Sequence, residues 1–309
     1  MYPTGRKIRE ALKKHGYKAK TVSIKHLPEV QEAVGKLVRQ GLVNPRLSAT
    51  WHFYLQSNKN PPEAGTIIIA ALPQSITRLT FTWQGTIYPG EVTPGHFCAA
   101  DEARAEDILN RMLEEAGYRL VKARLALKTL AVRSGLAAYG KNNLAYVPEM
   151  GSFCRLVAFY SDVPCEEDNW QQYKLLERCD NCTLCLNNCP TGSITPGRFL
   201  IQAENCLGFL NENNPEFPYW VKLQPDWPNA LIGCMSCQSI CPENRPYLQN
   251  IICGPSFSEE ETGCILQNMP WEKLSPATKS KLEEIKWAYP LLVGNLDALI
   301  AKQKSSPIS

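Results

Sequence analysis

Cys179-Asp-Asn-Cys182-Thr-Leu-Cys185-Leu-Asn-Asn-Cys189-Pro190 is the stretch on which the reading of this chain turns. Three cysteines stand at two-residue gaps, a fourth follows after three more residues, and a proline comes directly behind it. A second run, Gly233-Cys234-Met-Ser-Cys237-Gln-Ser-Ile-Cys241-Pro242, repeats the C-x3-C-P ending, and Cys206 upstream supplies its fourth member. Two-residue gaps let one tight turn aim three thiolates at a common point. Three residues and then a proline turn the fourth thiolate outward, toward a different point. Eight of the 13 cysteines fall into this pattern.

The first run has the spacing of bacterial ferredoxins, in which the fourth cysteine ligates the other cluster. Two 4Fe–4S clusters with crossed ligands are therefore predicted. One takes Cys179, Cys182, Cys185 and Cys241; the other takes Cys206, Cys234, Cys237 and Cys189. Structural zinc also suits paired C-x2-C motifs, but it uses four thiolates per ion and has no use for three cysteines at successive two-residue gaps. An odd cysteine total and the absence of a signal peptide argue against a disulfide framework. Cys98, Cys154, Cys165, Cys253 and Cys264 have no partner spacing and read as buried thiols.

With 309 residues, 44% of them hydrophobic, the chain can bury a substantial core, expected as two domains and a tail. Its formal charge of +3 overstates the loaded protein, because a 4Fe–4S cluster with four thiolates carries roughly 2− when oxidised. No strong global nucleic-acid footprint is present. The residues up to Gly16 are charged and amphipathic, with no apolar signal core. The longest apolar run, Ile67 to Leu72, is far too short to cross a bilayer. The expectation is a soluble, cytoplasmic protein without a membrane partner, at home in a well-reduced cytoplasm.

Residues 1–175 read as a mixed α/β (α+β) domain, 176–255 as a two-cluster ferredoxin-like domain and 256–309 as a helical C-terminal tail. In the first block, Ile8, Leu12 and His15 mark an opening helix, Lys20 to Ile24 alternates like a strand, and Pro28 to Arg39 is helical. Thr66 to Leu72 fits a buried central strand. Ala103 to Ala116 predicts a helix that Asp101 caps. Leu144 to Val147 and Phe153 to Tyr160 read as two strands joined by the Pro148–Gly151 turn. The stretch between Cys206 and Cys234, rich in proline and aromatics (Pro215, Pro218, Tyr219, Trp220, Trp227), is either a lid or a wrapper that keeps water off the clusters. Ser258 to Thr262 reads as an acidic linker, and Trp271 to Lys302 as about two helices with Leu282, Ile285, Tyr289, Leu292, Leu296 and Leu299 on their apolar faces.

Beyond the cysteines, Ser134-Gly-Leu-Ala-Ala-Tyr-Gly-Lys-Asn-Asn-Leu144 is similar to the glycine-lysine segment of epoxyqueuosine reductases. Cys206-Leu-Gly-Phe-Leu210 and Gly233-Cys-Met-Ser-Cys-Gln238 resemble the segments that deliver the second cluster in that family. With the related reductive dehalogenases, the resemblance implies a cobalamin held by an α/β domain and reduced through the clusters, the corrin doing the hard chemistry. Carried over, Gly140, Lys141, Asn142, Asn143, Gly151 and Ser152 are candidates for lining the corrin; the plainer reading is a glycine-bearing turn. The electron source it implies is a low-potential donor of the flavodoxin or ferredoxin type. The substrate stays open between a small molecule, a tRNA and a corrinoid protein, and a non-catalytic electron carrier or reductive activator is the alternative.

Two departures from the family pattern stand out. Val121 occupies the place of that family's general-acid aspartate, and no Asp or Glu occurs from Ala116 to Pro148. The family also continues into a helical-repeat region that holds transfer RNA, whereas this sequence closes at Ser309. Both features point to a shorter paralogue with another substrate. Tyr88, Tyr118 and Tyr139 are then the remaining proton-donor candidates. Arg119, Lys122, Arg124, Lys128, Arg133 and Lys141 make the acid-free stretch uniformly basic, which suits either a phosphate or a solvated helix face. His15, His26, His52 and His96 are scattered; His96 reads as a loop histidine or as one facing the cavity. Gly135, Gly140 and Gly151 form no nucleotide-binding fingerprint.

Overall fold

A computed structural model of the chain describes residues 5–44, 63–214 and 216–305, so His52 and Pro215 lie outside the described residues. Nine strands are assigned among them: β1 (Lys18–Ser23), β2 (Thr66–Pro73), β3 (Ile76–Trp83), β4 (Thr86–Val92), β5 (Leu120–Ala123), β6 (Ala138–Tyr139), β7 (Ala145–Tyr146), β8 (Cys154–Ser161) and β9 (Ile251–Phe257). The chain divides into two compact units that interleave in sequence. One comprises Met1–Gln74, Cys98–Thr183 and Gly197–Leu200; the other comprises Ser75–Phe97, Leu184–Pro196 and Ile201–Ser309.

In the first unit the sheet order is β1-β2-β8-β5 and every pairing is antiparallel. The unbroken apolar run of β2 has a direct cause. Alternate side chains leave opposite faces of a strand, and both faces are covered by helices. Ile67, Ile69 and Ala71 pack with Val30, Leu130, Ala131 and Val132 from helices Leu27–Arg39 and Leu127–Arg133. Ile68, Ala70 and Leu72 pack with Ile8 and Leu12 of helix Gly5–Lys13 and with Ala105, Leu109 and Leu113 of helix Ala99–Glu114. A strand buried on both sides reads as continuous hydrophobicity. The mixed helix-and-strand class expected from the sequence is found, in its α+β form.

Several local expectations change. The helix expected at Ala103 begins at Ala99, and Asp101 lies in its first turn, accepting from the Tyr17 hydroxyl at 2.8 Å and the Gln74 amide at 3.0 Å. Ala145–Tyr146 does not pair with the strand after Gly151. It pairs with Ala138–Tyr139, so the glycine-lysine segment is the turn of its own small hairpin, β6–β7. The basic stretch is no helix face: it runs through β5 and into helix Leu127–Arg133.

The second unit is built on the sheet β4-β3-β9, with β3 and β4 antiparallel and β3 and β9 parallel. The β3–β4 hairpin, unread in the sequence, turns on Gln84 and Gly85 at φ 52° and 72°, the left-handed pair of a two-residue hairpin turn. Phe81 and Phe257 stack across β3 and β9 with centroids 4.8 Å apart. Leu282, Ile285, Tyr289, Leu292, Leu296 and Leu299 complete that core. The segment after residue 256 is therefore core and not tail, and it shares that core with residues 76–92 instead of forming a separate block. Ser258 is no linker residue: it caps helix Glu259–Leu266, its hydroxyl accepting from the Glu261 N–H at 3.2 Å while the Glu261 carboxylate accepts from the Ser258 N–H at 2.9 Å. No helix among the described residues is long and apolar enough to cross a membrane.

Candidate functional site

Six of the eight patterned cysteines, from Cys185 onward, belong to the second unit. There the Asn188 amide donates to the Ser236 carbonyl at 2.6 Å, joining the end of the first cysteine run to the second run. Burial pushes the Cys206 thiol up against the pull of the Phe209 and Gly208 N–H groups, and the charges of Cys234 and Cys189 push it further. Cys189 and Cys234, from the two different runs, thus both act on the Cys206 thiol. Burial also disfavours the Cys189 thiolate, but hydrogen bonds from the Ile194, Ser193 and Thr191 backbone and from the Thr191 hydroxyl outweigh it and hold the thiol below its ordinary value. Iron would relieve the repulsion among such thiolates, so the donor set fits a cluster. No three His, Cys, Asp or Glu side chains among the described residues close on one point as the ligands of a single ion do.

Two asparagines that sequence reading missed organise this site. The Asn229 amide donates to the Cys234 sulfur at 3.4 Å and to the Ser236 hydroxyl at 2.8 Å, while its carbonyl accepts from the Met235 N–H at 2.8 Å. Buried Asn211 donates to the Ala230 and Leu231 carbonyls at 3.4 and 3.3 Å and accepts from the Gly233 N–H at 2.6 Å. Only their nearness to Cys206 and Cys234 in the sequence could have drawn attention to them. Part of the aromatic stretch before Cys234 packs inward, while Tyr219 and Trp220 stay exposed. Phe217 and Val221 pack with Leu207 and Leu210 against Trp227 and Cys234, and the Lys302 ammonium ties the Asp226 and Pro228 carbonyls to the last helix at 2.8 Å each.

Cys179 and Cys182 lie in the first unit, on a turn that the β6–β7 hairpin holds at both ends. The Tyr139 N–H donates to the Lys174 carbonyl at 2.8 Å and its carbonyl accepts from Leu176 at 2.9 Å. Beyond the turn, the Lys141 ammonium donates to the Asp180 and Cys182 carbonyls, both at 3.1 Å. The hairpin itself is tightly made. The Asn142 amide donates to the Tyr146 hydroxyl at 2.9 Å, and the Lys128 ammonium to the Asn143 carbonyl at 2.9 Å, where Asn143 adopts φ 59°. A Cβ on Gly140 would lie 2.5 Å from the Tyr146 ring and 2.6 Å from the Asn142 Oδ1.

These contacts bear on the corrin-lining candidates. Gly140 is glycine because the chain's own side chains fill the space beside it. Lys141, Asn142 and Asn143 direct their polar ends at protein groups, so the side chains of this turn do not fit a corrin lining. Gly151 carries a left-handed φ of 58°, and its carbonyl accepts from Val147 at 2.9 Å; Ser152 follows it directly. The structure scatters the three tyrosines. Tyr88 faces Phe81 across the hairpin in the second unit's core, and Tyr118 packs at the edge of a first-unit core. Tyr139 sits in the hairpin, 3.3 Å from the Thr129 hydroxyl, and burial pushes it up to about 12. Such a phenol holds its proton tightly at neutral pH.

Most of the basic residues are engaged inside the first unit. Arg119 pairs with Glu63 and Asp162, Lys122 with Glu102, and Arg133 with Glu29. They form neither a free basic helix face nor an open phosphate cradle. Val121 is 48% exposed on β5, with no carboxylate in its place. His96 hydrogen-bonds Thr93, meets Glu212 at 3.4 Å and stacks on Trp287, the surroundings of a structural loop histidine. Cys253 is exposed rather than buried.

The cysteine pattern is that of a double-cluster iron–sulfur domain, and residues 178–244 match the family model of the 4Fe-4S double cluster binding domain. The relatives are more particular. The chain is 26% identical to the epoxyqueuosine reductase of Staphylococcus aureus over 62% of its own length and 45% of that protein's. It is 30% identical to that of Bacillus subtilis over 47% and 34%, and 34% identical to that of Escherichia coli over 38% and 30%. The matches thus span less than half the length of each of these relatives. Its fold resembles the epoxyqueuosine reductase of Streptococcus thermophilus, with a TM-score of 0.62 at 19% identity over 97% of this chain and 81% of that one. The fold likewise resembles an epoxyqueuosine reductase bound to an epoxyqueuosine-modified tRNA-Tyr stem loop, with a TM-score of 0.63 at 18% identity over 96% and 80%.

Proposed function

We propose that this chain is an iron–sulfur oxidoreductase of the epoxyqueuosine reductase kind, in which two 4Fe–4S clusters relay electrons toward an acceptor held by the first unit. The proposed ligands are Cys179, Cys182, Cys185 and Cys241 for one cluster, and Cys189, Cys206, Cys234 and Cys237 for the other. The observation that carries this reading is the match of residues 178–244 to the 4Fe-4S double cluster binding domain, beside the Asn188–Ser236 hydrogen bond that joins the two cysteine runs. Held by these cysteines, each cluster would carry one electron at a time, supplied by a low-potential donor of the flavodoxin or ferredoxin type. Thiolate hydrogen bonds such as that from Asn229 set how readily it does so.

A cobalamin is the acceptor that the likeness suggests, and it would supply low-valent cobalt for attack on a substrate. The turn at Gly140 to Asn143 offers it no fitting side chains, so electron delivery is the step these residues support. The proposed substrate remains a small molecule, a tRNA or a corrinoid protein. The carrier reading is favoured by the hairpin's polar groups, which serve the cysteine turn, and by the valine at position 121, where the resemblance leads one to expect an acid. Oxygen-free reconstitution should give about eight irons and eight sulfides per chain; zinc, or only half that iron, would overturn the two-cluster assignment. Cobalamin is then titrated into the loaded protein and the complex desalted. A retained corrin band supports the reductase, and cluster absorbance alone after saturation leaves the carrier.

A further inference from the structure

We infer that Lys141 is a positioning residue that fixes the turn bearing Cys179 and Cys182, and whose ammonium raises the reduction potential of the cluster those cysteines hold. This rests on the two-cluster reading above. Lys141 reaches the cysteine turn through two hydrogen bonds of 3.1 Å, one to the carbonyl of Cys182 itself and one to that of Asp180. Both acceptors are backbone atoms of the loop that aims the thiolates, so the lysine sets the loop's shape as well as its field.

The root of the side chain is held as firmly as its tip. Gly140 on one side admits no Cβ, Asn142 is tied to Tyr146, and Asn143 is tied to Lys128. An ammonium anchored at both ends keeps its charge in place without a reorganisation cost when an electron arrives. Reduction adds one negative charge to the cluster, and a fixed cation a few bonds from a ligand favours the reduced state. Lys174 and Arg178 also place positive charge in this loop, and Lys141 adds to them a direct bond to the carbonyl of a ligand residue. No Asp or Glu lies between Ala116 and Pro148. Of the acids in the cysteine loop, Glu177 is paired with Lys174 at 3.5 Å, and Lys141 meets the backbone carbonyl, not the carboxylate, of Asp180. At the other cluster the neutral amide of Asn229 donates to the Cys234 sulfur.

The test uses the full chain, reconstituted without oxygen, with wild type, K141R, K141Q and K141M compared by iron content and by EPR-monitored redox titration. Lys141→Gln keeps a donor for the carbonyls and removes the charge. The expected result is full iron with one of the two midpoints displaced downward, so that the reduced-to-oxidised ratio at a given potential falls about tenfold, ~59 mV for a one-electron couple. The second midpoint stays put, and K141R remains within about threefold of wild type. Three outcomes overturn the inference: unmoved midpoints in an iron-complete K141Q, an equal displacement in K141R, or loss of iron in both K141Q and K141M while K141R stays loaded, which would leave geometry alone as the role. A wild type that binds no more than half the iron instead defeats the cluster reading, and does so before any variant is made.

Discussion

Gly233 shows how much one backbone conformation can govern. It precedes Cys234 at φ 86°, and a Cβ there would fall 2.2 Å from the Thr93 hydroxyl oxygen. Its N–H is also the donor that fixes Asn211. Gly233→Ala is therefore expected to destabilise the second unit by at least about 1–3 kcal/mol and to cut the reconstituted iron from about eight to about four per chain. Iron analysis beside thermal unfolding checks this; an alanine variant with full iron and wild-type Tm would refute it. At this scale the cysteine spacing, on which the proposed ligand assignment rests, was legible because it is written directly into the sequence. Asn229 and Asn211 were not, because an amide that meets a sulfur or a carbonyl from a neighbouring loop leaves no periodic mark. Lys141 was singled out, but as a lining for a corrin; its reach to Cys182 depends on a turn 41 positions away.

Among the elements, those with a strong local pattern were read well. The continuous run Ile67 to Leu72 announced a strand, and the apolar positions near residues 282–299 announced helices that are now seen to be core. Pairing was less legible, since a short strand such as Ala145–Tyr146 carries too few residues to say which neighbour it will meet. The β3–β4 hairpin left a fainter trace, a Gln-Gly pair at its turn. The mistaken linker at Ser258 has the opposite lesson: three successive acids at 259–261 are the first turn of a helix, placed where its N-terminal dipole favours them. Ser258→Ala removes the hydroxyl half of that capping box while keeping the backbone N–H from which Glu261 accepts, and is expected to cost about 1 kcal/mol, lowering Tm by roughly 2–4 °C. Differential scanning calorimetry reads this directly, with iron content unchanged as the control.

Taken whole, the molecule shows why domain boundaries drawn along the sequence go astray. A hairpin from residues 76–92 completes a sheet with β9 and is buried by helices from the C-terminal segment, so contiguous blocks do not coincide with compact units. Removing residues 259–305 would uncover Leu79, Phe81, Val92 and Phe257 at once, each worth about 1.5–3 kcal/mol of burial. The truncated chain is expected to aggregate and to lose both iron and a cooperative transition, as followed by size-exclusion chromatography and calorimetry. A soluble, iron-loaded truncation would contradict this. The parallel pairing of β3 with β9 also orders events during synthesis. The hairpin leaves the ribosome long before its partner strand, and all eight patterned cysteines, the last at 241, emerge before β9 at Ile251–Phe257. Pairings so distant along the chain form late, so all eight patterned cysteines are already synthesised while the sheet that β9 completes is still open.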